Sequence, residues 1–410
     1  MSRQVVITGL GCITPVGNNV SDFWKNLTAG KIGIDKITRF DTSDCKVKIA
    51  AEVKDFDPLY YMDFAESRKY DLFAKYALVA AHQAVSDSRI TGNVDPDRFG
   101  VYFGSGKGGL NTLTEGAGIL REKGVARVSA NFIPMSIINI AAGLIAIKHN
   151  ARGGCMSIVT ACATGTNCIG EAYLAVKAGN ADAVIAGASE AAINKLTLSG
   201  FQNMHALTRR SDPVSASIPF DKRRDGFVMG EGAGALIIED YGHAKKRGAK
   251  IYAEIVGYGN TNDAYHITAP DPGGSGAARA LKIAAAELKE TDSVYINAHG
   301  TSTPLNDKTE TVAVKAAFGE RAYKIPMSGT KSMTGHLQGA AGAVEAIIAV
   351  MALNTGILPP TAGYKEKDVD CDLDYIPNKA RKSDITAALS STFGFGGHNG
   401  VLALRKYNQG

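Results

Sequence analysis

The feature that most constrains the fold of this chain is an alternation of short apolar runs, rich in β-branched residues, with longer runs of helical period. The short runs end in Gly, Ser or Thr, as the buried strands of βα units do. The pattern predicts strands at 5–9, 100–106, 156–161, 181–187, 235–240, 293–298, 325–330 and 399–406. It predicts helices at 73–88, 163–178, 275–289 and 339–353, and therefore an α/β fold.

A charged segment marked by glycine, YGHAKKRGAK at 241–250, indicates where the chain divides. It separates the predicted strand at 235–240 from another predicted strand, IYAEIVGYG. We therefore expect two parts, residues 1–250 with a candidate cysteine nucleophile and residues 251–410 with candidate catalytic histidines.

Composition and charge exclude several classes of protein. The chain has 410 residues, 45% of them hydrophobic, which is enough for a sizeable core. Its net charge of +5 is too mild for a nucleic-acid partner, although a local basic patch could bind an acidic one. No charged leader precedes the first apolar run, and no stretch reaches about 18 continuous apolar residues. We expect a cytoplasmic protein with no membrane partner.

The cysteines pose the first chemical question. They stand at positions 12, 45, 155, 162, 168 and 371, with no metal-like spacing, so we expect reduced thiols. Cys162 lies between a predicted strand and a predicted helix, where free backbone N–H groups and the helix dipole favour a thiolate. Cys168 lies inside that helix and is predicted to be a small buried side chain. From this segment alone, packing explains Cys162 as well as catalysis does.

Two histidines in polar, glycine-rich segments favour catalysis. His299 stands in NAHGTSTPLND at the end of a predicted strand, and His336 stands in KSMTGHLQGAAGAVEA at the start of a predicted helix. A thiolate with two imidazoles is suited to acyl transfer, because the sulfur forms a thioester while the imidazoles bind a carbonyl oxygen. The absence of a short-spaced CxxC or HxxxH pair disfavours zinc. We treat the histidines at 82, 149, 205 and 243 as structural.

A fourth segment, STFGFGGHNG at 391–400, alternates glycine with phenylalanine before the last strand. Such a loop can offer a backbone N–H to an oxyanion and move an aromatic ring across a pocket mouth. The runs GSGKGG and MGEGAG superficially resemble phosphate loops. Neither fits GxxxxGK[ST] or the context of a dinucleotide-binding fingerprint, so we do not expect a nucleotide.

Five motifs together resemble one known family. They are, in chain order, TACATGTN, DKRRDGFVMGEGAG, NAHGTSTPLND, KSMTGHLQGAAGAVE and TFGFGGHN. With their Cys, His, His set they are similar to the condensing enzymes of fatty-acid synthesis over essentially the whole chain, and most similar to the 3-oxoacyl-[acyl-carrier-protein] synthase II group. The resemblance implies a thiolase-like fold, with two pseudo-symmetric βαβαβ halves in five layers (α-β-α-β-α), in a homodimer.

The resemblance also implies roles for individual residues. Cys162 would carry the acyl chain, and the backbone N–H groups of Cys162 and Phe395 would form the oxyanion hole. His299 and His336 would bind the thioester carbonyl of malonyl-carrier protein as it loses carbon dioxide. Lys331, with Glu345 as its charge partner, would order the site. The residues implied to bind substrate or gate the pocket are Thr301, Thr303, Thr268, Phe393 and Lys107.

The implied partner is acyl carrier protein, which is acidic, and no cofactor is implied beyond its phosphopantetheine arm. Basic residues near the entrance would dock it, and the candidates are Arg68, Lys69, Lys123, Arg127, Arg209 and Arg210. Some family members bind a structural monovalent cation next to an Asn–Ser pair. This chain has Ser390 and Ser391 there, which leaves a cation site formed by Asn297 and Glu345 open.

Lys107 departs from the family pattern, which commonly has an apolar residue lining the acyl pocket at that position. A lysine there could narrow or polarise the pocket, so the family's usual preference for long acyl chains is left open for this chain. Three alternatives to an elongating synthase stay open: a polyketide-type ketosynthase, a thiolase-like acyltransferase and a non-catalytic partner subunit. A thiolase needs a second catalytic cysteine, and the only late one, Cys371, lies in the acidic segment DVDCDLD. A partner subunit of this kind lacks the nucleophile, whereas Cys162 is present.

Overall fold

The computed structural model of the protein describes residues 3–407, in which short strands alternate with helices. The strands are β1 Val5–Ile13, β2 Asp35–Lys36, β3 Ile49–Ala50, β4 Phe99–Gly104, β5 Cys155–Met156, β6 Ala183–Glu190, β7 Gly232–Asp240, β8 Ala253–Asn262, β9 Val294–Asn297, β10 Met327–Ser328, β11 Ile357–Leu358, β12 Arg381–Lys382, β13 Ala387–Gly394 and β14 His398–Lys406. The α-helices are α1 Val20–Thr28, α2 Phe64–Ser67, α3 Leu72–Ser88, α4 Leu110–Lys123, α5 Phe132–Ser136, α6 Ile140–His149, α7 Thr164–Lys177, α8 Lys195–Asn203, α9 Pro213–Ala216, α10 Tyr241–Lys246, α11 Ser275–Ala284, α12 Pro304–Phe318, α13 Lys331–Thr334 and α14 Ala341–Thr355.

Ten of these strands form one sheet with an internal repeat. Their order is β10-β9-β13-β14-β8-β1-β7-β6-β4-β5, and the two halves meet where β1 pairs antiparallel with β8. Numbering the five strands of each half along the chain, and reading outward from this junction, gives the order 1-5-4-2-3 in both halves. The predicted pseudo-symmetric α/β fold is therefore confirmed.

The helices complete the five layers. Helix α3 covers β1, β6 and β7 on one outer side, and α11 covers β8 and β14 on the other. Between the half-sheets, α7 packs against α14. A Cβ on Gly165 would lie only 2.5 Å from the backbone N of Ala343, so glycine at this position lets the two central helices approach closely. The Ala-rich and Gly-rich composition of α14 suits this central layer, where nearly all its side chains are buried.

The structure shortens one predicted strand and contains a strand that was not predicted. Of the strand expected at 156–161, only Cys155–Met156 pairs, because the chain then leaves the sheet edge and enters a 3₁₀ turn at Ala161–Ala163. Strand β13 was not predicted, since its sequence AALSSTFG is dominated by small residues that carry little β signal. The four predicted helices are present as α3, α7, α11 and α14.

One helical segment, Gln338–Thr355, is long and apolar enough to span a membrane by length and composition. Its mean hydropathy is 1.2, and 83% of it is buried inside the protein. The same segment forms the central layer of the fold, where its apolar side chains pack against both half-sheets. Its composition therefore has a structural explanation in core packing.

Candidate active site

The predicted catalytic residues of both halves line one cavity of about 570 Å³. Cys162 comes from the first half of the chain, and His299 and His336 come from the second. The cavity is also lined by the other residues that the sequence assigned to substrate: Lys107, Thr268, Thr301, Thr303, Phe393 and Phe395. Lys331 and Glu345 do not line it; they lie behind the histidines.

Cys162 lies in a strained turn at the start of a helix. It occupies the 3₁₀ turn Ala161–Ala163, directly before α7, and Ala161 has a φ of 51°. A non-glycine residue with positive φ is strained, and such strain concentrates at functional sites. A Cβ on Gly394 would lie 3.1 Å from the backbone N of Cys162 and 2.8 Å from the carbonyl oxygen of Thr160. Glycine at 394 therefore lets the phenylalanine-bearing loop approach the nucleophile.

His336 faces the thiol, with its Nε2 atom 3.1 Å from Cys162 Sγ. The backbone holds the ring in place, because the His336 N–H donates to Val228 O and the Gly230 N–H donates to His336 O, both at 2.8 Å. The backbone N–H of Gln338 donates to His336 Nδ1 at 3.1 Å. In the neutral ring the proton must then be on Nε2, so His336 presents a hydrogen-bond donor to the cavity.

His299 is oriented by similar interactions. Lys331 Nζ lies 2.5 Å from His299 O and 3.4 Å from His299 Nδ1. Because an ammonium can only donate, this contact also places the ring proton of the neutral His299 on Nε2. The two imidazole rings are 5.3 Å apart between centroids and nearly perpendicular. Two Nε2–H donors therefore face the region next to the Cys162 sulfur.

Lys331 is itself held by a buried carboxylate. Its ammonium donates to Glu345 Oε1 on α14, and both side chains are almost fully buried. Burial raises the pKa of Glu345, and the charge of Lys331 opposes that rise. Removing one member of such a pair leaves an uncompensated buried charge. Because Lys331 also donates to His299 O, the pair holds the His299 backbone in position.

Comparison with known proteins identifies the arrangement. Residues 2–244 match the family model described as the beta-ketoacyl synthase N-terminal domain, and residues 252–365 match the model of the C-terminal domain. The chain belongs to the beta-ketoacyl synthase family. The resemblance predicted from the five motifs is confirmed.

Curated relatives of this beta-ketoacyl synthase span its whole length. A protein of Synechocystis sp. named 3-oxoacyl-[acyl-carrier-protein] synthase 2 is 50% identical over 409 residues, which cover 99% of this chain and 98% of the relative. Proteins of the same name are 48% identical in Staphylococcus aureus (strain COL), with 99% of each chain covered, and in Coxiella burnetii, with 98% of this chain and 99% of the relative covered.

Solved structures agree with the family and the fold. A beta-ketoacyl synthase from Burkholderia phymatum is 33% identical with a TM-score of 0.91, and the match covers 100% of both chains. A structure described as a type II polyketide acyl-carrier protein in complex with its ketosynthase is 35% identical with a TM-score of 0.91. That match covers 99% of this chain and 100% of the other.

Burial controls the charge states in this synthase site. It raises the pKa of Cys162 to about 11, against the opposing charges of Lys107 and Lys331 and a hydrogen bond from the Phe395 backbone. Burial and the Lys331 charge hold the pKa values of His299 and His336 well below the ordinary range, so both rings are neutral at pH 7. Burial therefore opposes the thiolate that the helix terminus favours, and the charges of Lys107 and Lys331 offset part of that opposition. Cys168 is fully buried, as expected.

Sequence reasoning missed a carboxylate that shapes the site. Glu310 accepts hydrogen bonds from the backbone N–H groups of His299 and Gly300, at 2.7 and 2.8 Å, and from Ser391 Oγ at 3.0 Å. Burial raises its pKa to about 7. The sequence spacing could have indicated it, because Asp307 and Glu310 are three residues apart and so share one face of a helix. In the structure that face of α12 is buried.

A second missed residue is Gln338, which lines the cavity with a φ of 51°. Nothing in its residue type distinguishes it in a glycine-rich and alanine-rich segment, so only the structure identifies it. His205, treated as structural from sequence, also lines the cavity.

The six candidate docking residues differ in their distance from the cavity. Arg209 contacts His205 at 3.1 Å, and Arg210 lies 3.7 Å from Asp225; both of these partners line the cavity. The other four follow α2 or lie near the end of α4, and none of them lines the cavity: Arg68, Lys69, Lys123 and Arg127.

Proposed function

We propose that this chain is an acyltransferase that condenses malonyl-carrier protein with an acyl group held on Cys162, giving 3-oxoacyl-carrier protein and carbon dioxide in fatty-acid elongation. The observation that carries the proposal is the 3.1 Å approach of His336 Nε2 to Cys162 Sγ, with His299 beside it. The names of the relatives at 48–50% identity support the same reaction.

The first step loads the nucleophile. The Cys162 sulfur attacks the acyl-carrier thioester, the carrier thiol leaves with the proton of Cys162, and an acyl-cysteine forms. The backbone N–H groups of Cys162 and Phe395 stabilise the oxyanion; removing one such donor typically costs roughly 3–4 kcal/mol. The charges of Lys107 and Lys331 favour sulfur deprotonation during this step, against the cost of burial.

The second step generates a carbon nucleophile without a strong base. The Nε2–H groups of His299 and His336 donate to the thioester carbonyl of malonyl-carrier protein. Loss of carbon dioxide leaves its electron pair as an enolate, which these donors stabilise. The enolate carbon attacks the acyl-cysteine carbonyl, the carbon–sulfur bond to Cys162 breaks, and the released thiolate takes a proton from the solvent. Neutral imidazoles suit this role because they must donate a hydrogen bond and need not remove a proton from carbon.

Three buried groups position the donors in this mechanism. Lys331 holds the His299 backbone and Nδ1, Glu345 balances the Lys331 charge, and Glu310 holds the N–H groups of the His299 loop. None of the three lines the cavity, so we assign them positioning roles.

The pantetheine arm of the carrier enters beside Thr301 and Thr303. Their hydroxyl oxygens are 2.9 Å apart and line the cavity with Thr268, which supports binding of the amide groups of the arm. Phe395 and Phe393 gate the acyl end, since Phe393 lies near the end of β13 and Phe395 directly follows Gly394, which lets the chain approach Cys162. Arg209 and Arg210 dock the acidic carrier at the mouth, with Arg68, Lys69, Lys123 and Arg127 as further contacts.

The second copy in a homodimer binds the β5 edge. Strand β5 ends the sheet order and is exposed, so its edge groups are available for pairing. Exposed apolar side chains near this segment and on α4 and α5 support an apolar interface: Met156, Val159, Leu113, Leu120 and Ile133. We expect Met156→Arg to shift the sedimentation coefficient toward a monomer, and Val369→Arg, at another exposed apolar residue, to leave it unchanged.

We also propose a monovalent cation next to the Lys331–Glu345 pair. The buried side-chain oxygens without a hydrogen-bond partner among the described residues include Asn297 Oδ1, Glu345 Oε2 and Ser390 Oγ. Ser390 and Asn297 are register partners in β13 and β9. Such a cation would neutralise the buried carboxylate and stiffen the wall behind the histidines. Two other expectations from the sequence stay proposals: the division of the chain at 250 and 251, and a cytoplasmic location.

The test is incubation with malonyl-carrier protein and acyl-carrier proteins of graded length, with products detected by mass. Wild type should form 3-oxoacyl products and an acyl adduct on Cys162. Cys162→Ala should lose both, whereas Cys168→Ala should keep both because Cys168 is buried away from the cavity. An acyl adduct that persists in Cys162→Ala would overturn the assignment of the nucleophile.

A further inference from the structure

The wall of the cavity next to Cys162 contains a charged side chain with an unusual environment. Lys107 follows β4, is half-buried and lines the cavity. Its ammonium donates to Gln338 Oε1 and lies 5.2 Å from the ring centroid of Phe201. All three side chains belong to the cavity lining, so the ammonium is presented toward the space around the acyl-bearing sulfur.

Within residues 3–407, no carboxylate lies within ion-pair distance of Lys107 Nζ. The nearby Glu190 is already used by the backbone N–H groups of Gly106 and Gly339, at 3.0 and 3.1 Å. Lys107 thus places a positive charge in the cavity with only a neutral amide oxygen and an aromatic ring as partners. A half-buried charge that makes no direct ion pair is favoured when a ligand oxygen binds it.

Gln338 provides a second, independent observation. Its side chain is 3% exposed, and its Nε2 atom has no hydrogen-bond partner among the described residues. Its backbone is held at a φ of 51°, a strained conformation for a glutamine. A buried amide N–H without an acceptor costs free energy that a ligand oxygen would recover.

We propose that Lys107 and Gln338 form an oxygen-binding subsite in the cavity, through which the synthase accepts acyl groups with an oxygen function at that position more readily than alkyl groups of the same length. The substrate class is an acyl chain with a carbonyl, hydroxyl or carboxylate oxygen that accepts from Lys107 Nζ and Gln338 Nε2. The inference rests on the proposed condensation and deepens it. A plain alkyl chain in the same position would strip water from the ammonium and return no acceptor.

The acyl donor, and not the malonyl extender, is the group that this subsite binds. A cation that held the malonyl carboxylate would stabilise the very charge that decarboxylation removes, and so would raise the barrier to that step. An acyl chain on Cys162 keeps its oxygen function through the reaction, so binding it costs nothing at the transition state.

The experiment compares matched thioesters on the wild-type protein. Acyl pantetheine thioesters of equal chain length, with an alkyl, an oxo or a terminal carboxylate end, are given at several lengths. The rate of Cys162 acylation is followed by intact-protein mass. We expect at least one length at which the oxygenated thioester has a kcat/KM about tenfold above its alkyl match. The oxo and carboxylate arms separate a neutral acceptor from an anion.

Variants then assign the effect. Lys107→Met and Gln338→Leu should each reduce or reverse the ratio of oxygenated to alkyl kcat/KM, whereas Lys289→Met, at an exposed lysine outside the cavity, should leave it unchanged. If the wild-type protein used each oxygenated thioester and its alkyl match with the same kcat/KM at every length, the inference would be overturned, even if a variant failed to fold. A Lys107→Met effect confined to the KM of malonyl-carrier protein would overturn it as well. Failure of every thioester to acylate Cys162 would instead count against the proposed condensation.

Discussion

The two halves of this protein share one strand order but place different chemistry at the ends of their strands. Each half arranges its five strands as 1-5-4-2-3 from the junction outward. In the first half, the segment after β5 leads into the turn that bears Cys162 and then into α7. In the second half, β9 ends at Asn297, two residues before His299, and β10 is followed by α13 and His336.

The comparison teaches that the fold's internal symmetry brings unlike groups together. The first half contributes the proposed nucleophile, Cys162, before a central helix, and the second contributes two imidazoles whose tautomers are set by their hydrogen bonds. Helix α7 of the first half packs against α14 of the second in the central layer. Both halves therefore contribute residues to one cavity. Variants that remove one contribution should therefore separate acyl loading from decarboxylation.

The largest expected effect comes from removing the donors of the second half. His299→Ala and His336→Ala should each lower the decarboxylation rate of malonyl-carrier protein by roughly 100- to 10,000-fold, because the enolate loses one of its two donors. Acylation of Cys162 should persist in both variants, since the oxyanion hole is made by backbone N–H groups. Stopped assays of carbon dioxide release and intact-protein mass measure the two steps separately.

The reciprocal variant completes this comparison. Cys162→Ala should still release carbon dioxide from malonyl-carrier protein while forming no 3-oxoacyl product, because both histidine donors remain. If both histidine variants also failed to acylate Cys162 while remaining folded by circular dichroism, the division of labour between the halves would be wrong.

A smaller but still large effect is expected at the buried pair of the second half. Lys331→Met leaves the Glu345 carboxylate uncompensated and should lower the free energy of unfolding by about 3–5 kcal/mol in urea titrations. Adding Glu345→Gln should recover much of the stability, but not the decarboxylation rate, because the donor to His299 is still missing.

The first half offers a matched control in Arg39, which pairs with the buried Glu231 and does not line the cavity. Arg39→Met should destabilise the protein in the same way while keeping decarboxylation. Equal loss of decarboxylation in Arg39→Met and Lys331→Met would mean that Lys331 acts only through stability.

The sequence predicted which residues line the cavity better than it predicted the groups that surround them. Cys162, His299 and His336 stand out because their residue types carry chemistry and their neighbours are small. Glu310 and Gln338 went unnoticed because a carboxylate or amide on a helix is ordinarily solvated, and only tertiary packing buries these two. The burial that raises the pKa of Cys162 to about 11 was not visible in the sequence either, since it depends on loops distant in the chain.

The pH dependence of stability can test the role of Glu310, which accepts hydrogen bonds from the backbone of the His299 loop. Burial raises its pKa from an ordinary 4.5 to about 7, so between these values the folded protein keeps a proton that the unfolded chain has lost. Protonated Glu310 therefore adds to the free energy of unfolding, by about 3 kcal/mol, and this contribution is present in full below pH 4.5. It is lost as the pH rises toward 7.

Glu310→Gln should remove this component, so the difference in unfolding free energy between variant and wild type should change with pH between 4.5 and 7. Urea titrations at half-unit pH intervals measure it. A difference that is constant across this range would show that Glu310 does not titrate there.

The smallest expected effect concerns the loop through which the second half reaches the nucleophile of the first. Gly394→Ala would place a Cβ 2.8 Å from Thr160 O and 3.1 Å from Cys162 N, so the loop must retreat. Overpacking of this kind costs about 1–3 kcal/mol, and retreat of Phe395 weakens the oxyanion hole, so acylation should slow roughly tenfold. Gly143→Ala, in the middle of α6 with no atom within 4 Å of the added Cβ, should instead stabilise by up to about 1 kcal/mol and leave acylation unchanged. Equal acylation rates in the two variants would mean that the close approach at Gly394 does not couple the halves.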